Sequence, residues 1–314
     1  MSYRLKTSES LREGIKRIAR EEIESAESVL RRTSATNRDK AIHEARKSIK
    51  KARALLRLIR PQLNGLYDDD NRRLRKIAQK LSAYRDAKAM IEIFDNLKRK
   101  FKNKLSRAAA RSIRRALLQR KGEREHRIHT AQTLKSGADS LRAVGNSVNK
   151  WKLGRDFGSI AAGVARTYRR GRKAMALVRK NSRPEYCHEW RKRVKDSWYH
   201  MRLLENAWPD WIQGYEKSLQ DLETWLGDHH NLQVLRQTLA AKPGRYGQRE
   251  DVDRSLHLAE KYQQELRKNA LSLGERIYDE KPGLLKKQIK DFWNSSQSQP
   301  KSLKQFEKEK RKTA

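Results

Sequence analysis

The segment HEARKSIKKARALLRLIR, His43 to Arg60, is answered 145 positions later by HEWRKRVKDSWYHMRLLE, His188 to Glu205. The same offset pairs Leu74 with Leu219 and Leu81 with Leu226 without a gap, so LRKIAQKLSAYRDAKAM matches LQDLETWLGDHHNLQVL. Register held through a turn and two amphipathic segments points to an internal repeat. The expected architecture is two bundles of about four helices, one to each half, facing each other about a pseudo-twofold axis.

Apolar residues recur at i, i+3, i+4 and i+7, β-branched runs are scarce and prolines number 6, which predicts an all-α protein. Helices are expected over 8–32, 37–60, 69–100 and 102–120, then over 157–180, 184–207, 211–241 and 251–278. Pro61 with Gly65, and Pro209 with the KPGRYG stretch, supply breaks, and Pro184 suits a first helical turn. Residues 121–154 are glycine-punctuated and weakly periodic and read as a connector. The expected division is therefore 1–150 (first bundle and connector), 151–295 (second bundle) and 296–314, a basic tail too poor in apolar surface to order.

On a helical wheel with His43 at 0°, Lys47, Lys50, Ala54 and Arg57 fall within about 40° and Arg46 at about 60°. Ile42, Ala45, Ile49, Ala52, Leu56 and Ile59 take the opposite side, so the cations are expected to face away from their own bundle. The second copy repeats the stripe with His188, Arg191, Lys192, Lys195, Tyr199 and Arg202, opposite Val194, Met201 and Leu204. Like charges at i, i+4 cost up to about half a kcal/mol each, and an ordinary solvated face mixes signs to avoid that. Two unmixed stripes read as a phosphate-binding track, against the plainer alternative of a soluble surface. RTYRRGRKAM adds Arg166, Arg169, Arg172 and Lys173, while Arg72, Arg73, Arg75 and Arg85 lie on the helix after the first stripe.

Lys plus Arg number 75 against 38 Asp plus Glu, a formal net charge of +37. Self-repulsion on that scale calls for a strongly anionic partner, whether nucleic acid, a phosphate polymer or an acidic membrane surface. The single cysteine, Cys187, excludes an intrachain disulfide and any multi-cysteine zinc site. No stretch approaches the roughly 20 apolar residues of a membrane span, and a soluble cytoplasmic protein is expected.

HEARKSIKKAR with YRDAKAM, followed by TYRRGRKAM, HEWRKRVKDSWYHMRLL and LGDHHNL in that order, resembles the CHAD family, the conserved histidine α-helical domain. The likeness extends to about Trp293. It implies two four-helix bundles with a basic surface or channel between them that binds inorganic polyphosphate, and association with polyphosphate granules. By the resemblance, His43, Arg46, Lys50, Lys51 and Arg53 match the histidine-led pattern in the first half, and His188, Arg191 and Lys195 match it in the second. Trp198 stands where the family often has arginine, and Asp196 replaces a frequent basic residue.

No E-x-E-x-K strand and no G-x-x-x-x-G-K-[ST] loop is present, so a binder without enzymatic activity or cofactor is expected. His229 and His230 are adjacent and point about 100° apart on a helix, a poor arrangement for holding a metal. His43 and His188 lack an identifiable nucleophile or base partner for catalysis. Neighbouring cations favour their neutral form and bound phosphate their charged form, so binding is expected to tighten between pH 8 and 6. Nonspecific nucleic-acid binding, with nucleic acid a competing polyanion, and a scaffold for acidic partners are the alternatives. Few aromatics accompany the stripes to stack bases.

Overall fold

Ser10 opens the first helix, α1 (Leu11–Arg31), through a capping box: its hydroxyl accepts from the Glu13 backbone N–H and its own N–H donates to the Glu13 carboxylate. The computed structural model describes residues 3–6, 8–34, 36–102, 104–127 and 130–298; the side chains of 83–85, 124–127, 130 and 298 lie outside that description. Among the described residues all regular structure is helical: α2 (Arg38–Leu58), α3 (Leu66–Lys100), α4 (Arg107–Arg127), α5 (Thr130–Ser147), α6 (Gly158–Lys180), α7 (Pro184–Leu204), α8 (Pro209–Ala241), α9 (Arg249–Ile277) and α10 (Pro282–Ser298). Pro184, Pro209 and Pro282 each occupy the first helical position, where a missing N–H costs nothing. Both α2 and α7 are 21 residues long, and each gives way to a three-residue 3-10 turn and then to a long helix, of 35 residues in α3 and 33 in α8.

Two elements differ from expectation. Residues 121–154 are largely helical, because Leu134, Ala138, Leu141, Val144 and Val148 form an apolar stripe seated against α1 and α3. The glycines that suggested a connector mark close approach instead: a Cβ on Gly137 would lie 3.3 Å from the Leu30 side chain. At the other end α10 carries Leu285, Ile289 and Trp293 into the core, with Trp293 stacked on Phe157 at 4.4 Å, and it runs through Ser298 into the expected tail. The remainder of that tail lies outside the described residues.

The apolar cores do not divide at residue 150. The larger one runs continuously from Tyr3 to Trp293, taking in α1, α2, α5, α6, α7 and α10 with the first parts of α3 and α8 and the last part of α9. The smaller one combines Ala87 to Leu97 of α3 and Leu105 to Leu117 around α4 with Leu232 to Leu239 of α8 and Val252 to Leu266 of α9. Both halves of the chain contribute to each core. The long helices α3 and α8, which pack on each other, connect the two.

Candidate polyanion site

Helices α2 and α7 meet at Ala54 and His200, both fully buried, with His200 Nε2 2.9 Å from the Ala54 carbonyl oxygen. Here the sequence expectation needs correction. The cationic stripe of α2 does not face away into solvent, because α7 lies against it and leaves Lys50 and Arg57 half-buried, with Arg53 half-buried beside them. Around this crossing the cations fall into two sets.

The first set is Lys50, Arg46, Lys195 and Arg191 around Glu223 of α8. Lys195 Nζ donates to Glu223 Oε1 at 2.7 Å and Arg191 Nε donates to the same oxygen at 3.1 Å. Arg46 Nη1 donates to the Ala78 carbonyl at 3.0 Å, which ties α2 to α3. Burial, then Lys195, Arg46 and Arg191, pull the Lys50 ammonium down to about 7. Burial also lowers Lys195, with Glu223 opposing the shift. For Glu223 burial pushes upward, but Lys195 and Arg191 outweigh it and hold the carboxylate below its ordinary value. The arrangement is a semi-buried cluster of fixed cations with one internal carboxylate as counter-ion.

The second set lies on the α6 side, in a cleft of about 320 Å³. Arg57 donates to Asp196 at 2.8 Å, and Arg193 lies 3.6 Å from the same carboxylate. Arg166 Nη2 donates to the carbonyls of Arg57 at 2.9 Å and Leu58 at 3.1 Å, satisfying acceptors at the C-terminal end of α2. Gly163 allows the approach, since a Cβ there would sit 2.4 Å from the Leu58 carbonyl oxygen. Burial, then Arg57, lowers Arg53 to about 10; burial, then Arg60 and Arg170, lowers Arg166. Guanidinium groups remain charged under such shifts, which measure the repulsion and desolvation they bear.

The CHAD-domain family pattern matches residues 15–240. The chain belongs to the CHAD family. No curated protein matches it at a significant level. The CHAD match spans both histidine-led helices and ends in α8, leaving α9 and α10 outside it although both carry core residues.

Within this CHAD chain the remaining expected site residues are dispersed. His43 and Lys47 are exposed at the start of α2, Lys47 pairing with Glu44 and Lys192 with Glu189, each at 3.3 Å. His188 packs on His230 at 4.3 Å, and burial, then Lys192 and Arg191, lower it to about 4. His188 is thus held neutral between pH 8 and 6 in the unliganded protein, as burial and its cationic neighbours require, and Lys50 is a second group, pulled into that range. Lys51 turns toward α1, donating to Glu22 at 2.6 Å with Tyr3 beneath it, and Arg202 pairs with Glu216 at 3.3 Å. Tyr199 is only 4% exposed and packs edge-on to Tyr3, so it belongs to the core rather than to an open site. Arg169, Arg172 and Lys173 are exposed on α6 and line neither set. The Arg85 side chain lies outside the described residues.

Sequence reasoning missed Glu223, Arg60, Arg170 and Arg193. At the repeat offset Glu223 corresponds to Ala78, the residue whose carbonyl receives Arg46, so a position known to face one stripe pointed to the residue that faces the other. Arg193 lies about 140° from His188 on the wheel, off the stripe, and only the packing of α6 against α7 gives it a role.

Proposed function

We propose that the chain binds inorganic polyphosphate at the Lys50–Lys195 cluster without turning it over, and that this affinity would place it on polyphosphate-rich granules. The observation carrying the reading is Lys50 itself, a lysine held at about 7 among Lys195, Arg46 and Arg191. Desolvated cations in mutual repulsion gain most from a ligand of dense negative charge, and a phosphate chain supplies one oxyanion on every unit. Membership of the CHAD family agrees with this ligand. In the same reading the two halves are repeats about a pseudo-twofold axis through the α2–α7 crossing, with the groove beside it. Support comes from the matched order of helix, 3-10 turn and long helix, and from the contacts of α2 with α7 and of α3 with α8.

The test is competition at fixed ionic strength among long-chain polyphosphate, DNA, RNA and short phosphates for the protein bound to labelled long-chain polyphosphate. Long polyphosphate is expected to displace the label at far lower phosphate concentration than the nucleic acids. Equal displacement by all polyanions rejects a dedicated site. Charge reversal at Lys50 with Lys195 is expected to abolish binding, and reversal at Lys308 with Lys310 to leave most of it.

A further inference from the structure

The two cationic sets around the α2–α7 crossing share no leading electrostatic partner. Lys50 and Lys195 interact with Arg46, Arg191 and Glu223, whereas Arg53, Arg166 and Arg170 interact with Arg57, Arg60, Arg193, Glu189 and Asp196. They also differ in kind. The first mixes lysine and arginine around a carboxylate; the second gathers Arg57, Arg60, Arg166, Arg170 and Arg193 against Asp196 in one cleft. We infer that this arginine cleft is a second ligand site, separate from the Lys50–Lys195 cluster, and that it takes a short linear oligophosphate or the end of a longer chain.

Three observations carry the inference. The volume, about 320 Å³, falls at the small end of cavities that hold compact ligands, which begin near 300 Å³. It suits a few phosphate units rather than a polymer laid lengthwise. The charge is unbalanced: five guanidinium groups line the cleft with one carboxylate, Asp196, and although Glu189 just outside the lining pairs with Arg193 and acts on Arg170, neither Arg60 nor Arg170 has a carboxylate within ion-pair distance among the described residues. A ligand matching that excess must carry several negative charges in a small volume, which excludes simple carboxylates and favours tripolyphosphate-like anions. The geometry is also preorganised: Arg166 is fixed on the end of α2, Arg57 on Asp196, and Arg60 over the Tyr67 ring at 4.6 Å, so little side-chain freedom remains to be lost on binding. Planar guanidinium forks bind phosphate oxygens in pairs, whereas lysine offers point charge. Pulled-down values at Arg166 and Arg170, from burial and then from arginine neighbours, mean that the unliganded cleft bears repulsion a bound anion relieves.

The opposite side of the crossing is built differently. There Lys51 and Arg202 meet Glu22 and Glu216, and the N-terminal segment lies over them, with Tyr3 Oη donating to the Lys51 carbonyl and Leu5 N–H to Leu203. Each of these cations meets a carboxylate, so the unpaired guanidinium groups lie on the α6 side.

The inference deepens the polyphosphate reading, and calorimetry with tripolyphosphate tests it separately from that reading. Wild type is expected to bind one tripolyphosphate. Arg60→Gln with Arg170→Gln, both exposed side chains off the core, is expected to weaken that binding about tenfold or more while helicity is retained and long-chain affinity stays within about threefold. Lys50→Gln with Lys195→Gln is expected to lose the long chain and keep tripolyphosphate. The single variant Arg170→Glu should repeat the first loss should the double variant prove poorly folded. Tripolyphosphate binding that is unchanged by the arginine substitutions, or lost together with the long chain in the lysine variant, overturns the second site. Retention of tripolyphosphate by a protein that fails to prefer long polyphosphate would sink the polymer reading alone.

Discussion

Lys50 is held at about 7 against an ordinary 10.5 by burial, Lys195, Arg46 and Arg191, so it is half neutral in the free protein at pH 7. A phosphate chain seated in the cluster restores the charge, and binding then takes up a proton wherever the free lysine has lost one. Taking about 7 for the free protein and a near-ordinary value for the complex, about half of Lys50 is charged at pH 7, a tenth at pH 8 and a hundredth at pH 9. Affinity for long-chain polyphosphate should therefore fall about fivefold from pH 7 to 8 and about fiftyfold from pH 7 to 9, and be flat in this group below pH 6. The unfolded chain holds the proton up to a higher pH than the folded one. Lys50 accordingly makes folding stability rise as pH rises from about 7 toward 10.5, the reverse of its effect on binding. Titration calorimetry at constant ionic strength in two buffers of different ionisation enthalpy measures the proton uptake directly. Long chains keep the titration of terminal phosphates negligible. Lys50→Arg should bind with no such slope, and Lys50→Gln should bind weakly with none. A Lys50→Arg protein that keeps the wild-type slope refutes the assignment.

Glu223→Gln removes the carboxylate that Lys195 and Arg191 share, and stability at pH 7 should drop by about 3 kcal/mol in urea titrations, much of it regained when polyphosphate is added. Unchanged stability would show that Glu223 is not the counter-ion. Gly163→Ala sets a methyl against the Leu58 carbonyl, a backbone atom that cannot swing aside, and should cost about 2–3 kcal/mol in the same assay. A fragment of residues 1–150 should be helical yet melt without a sharp transition and bind a hydrophobic dye, since Phe94, Leu97 and Ile113 lose Leu235, Tyr246 and Leu266. A cooperative melt of that fragment contradicts the shared core.

Periodicity read helix type well because each apolar stripe is a property of one segment: α2 and α7 are the helices their patterns describe, and Pro184 and Pro209 start helices as proline should. It failed where a residue's meaning lay in another element. The glycines of 121–154 read as punctuation within their own segment, yet Leu30 and Ile77 pack against Gly137 and the segment holds α5. The wheel of α2 gathered Lys50 with Arg57, yet α7 crosses the stripe between them and sends one toward Glu223 and the other toward Asp196. Tyr199 fell on the stripe by angle and in the core by packing. A single helix's periodicity identifies a face, but the partners of that face depend on distant segments such as α6 and α8.

The smaller core has a consequence for how the chain comes into being. Its first contributors, Ala87 to Leu117, leave the ribosome well before Leu232 to Leu266 exist to cover them. At ordinary rates of about 5–20 residues per second, that interval lasts roughly ten seconds to half a minute. During it the distal part of α3 and the helix that follows can close on each other but lack the cover that α8 and α9 later supply. Closure of the smaller core thus waits on the last third of the chain, a delay written into the order of its helices.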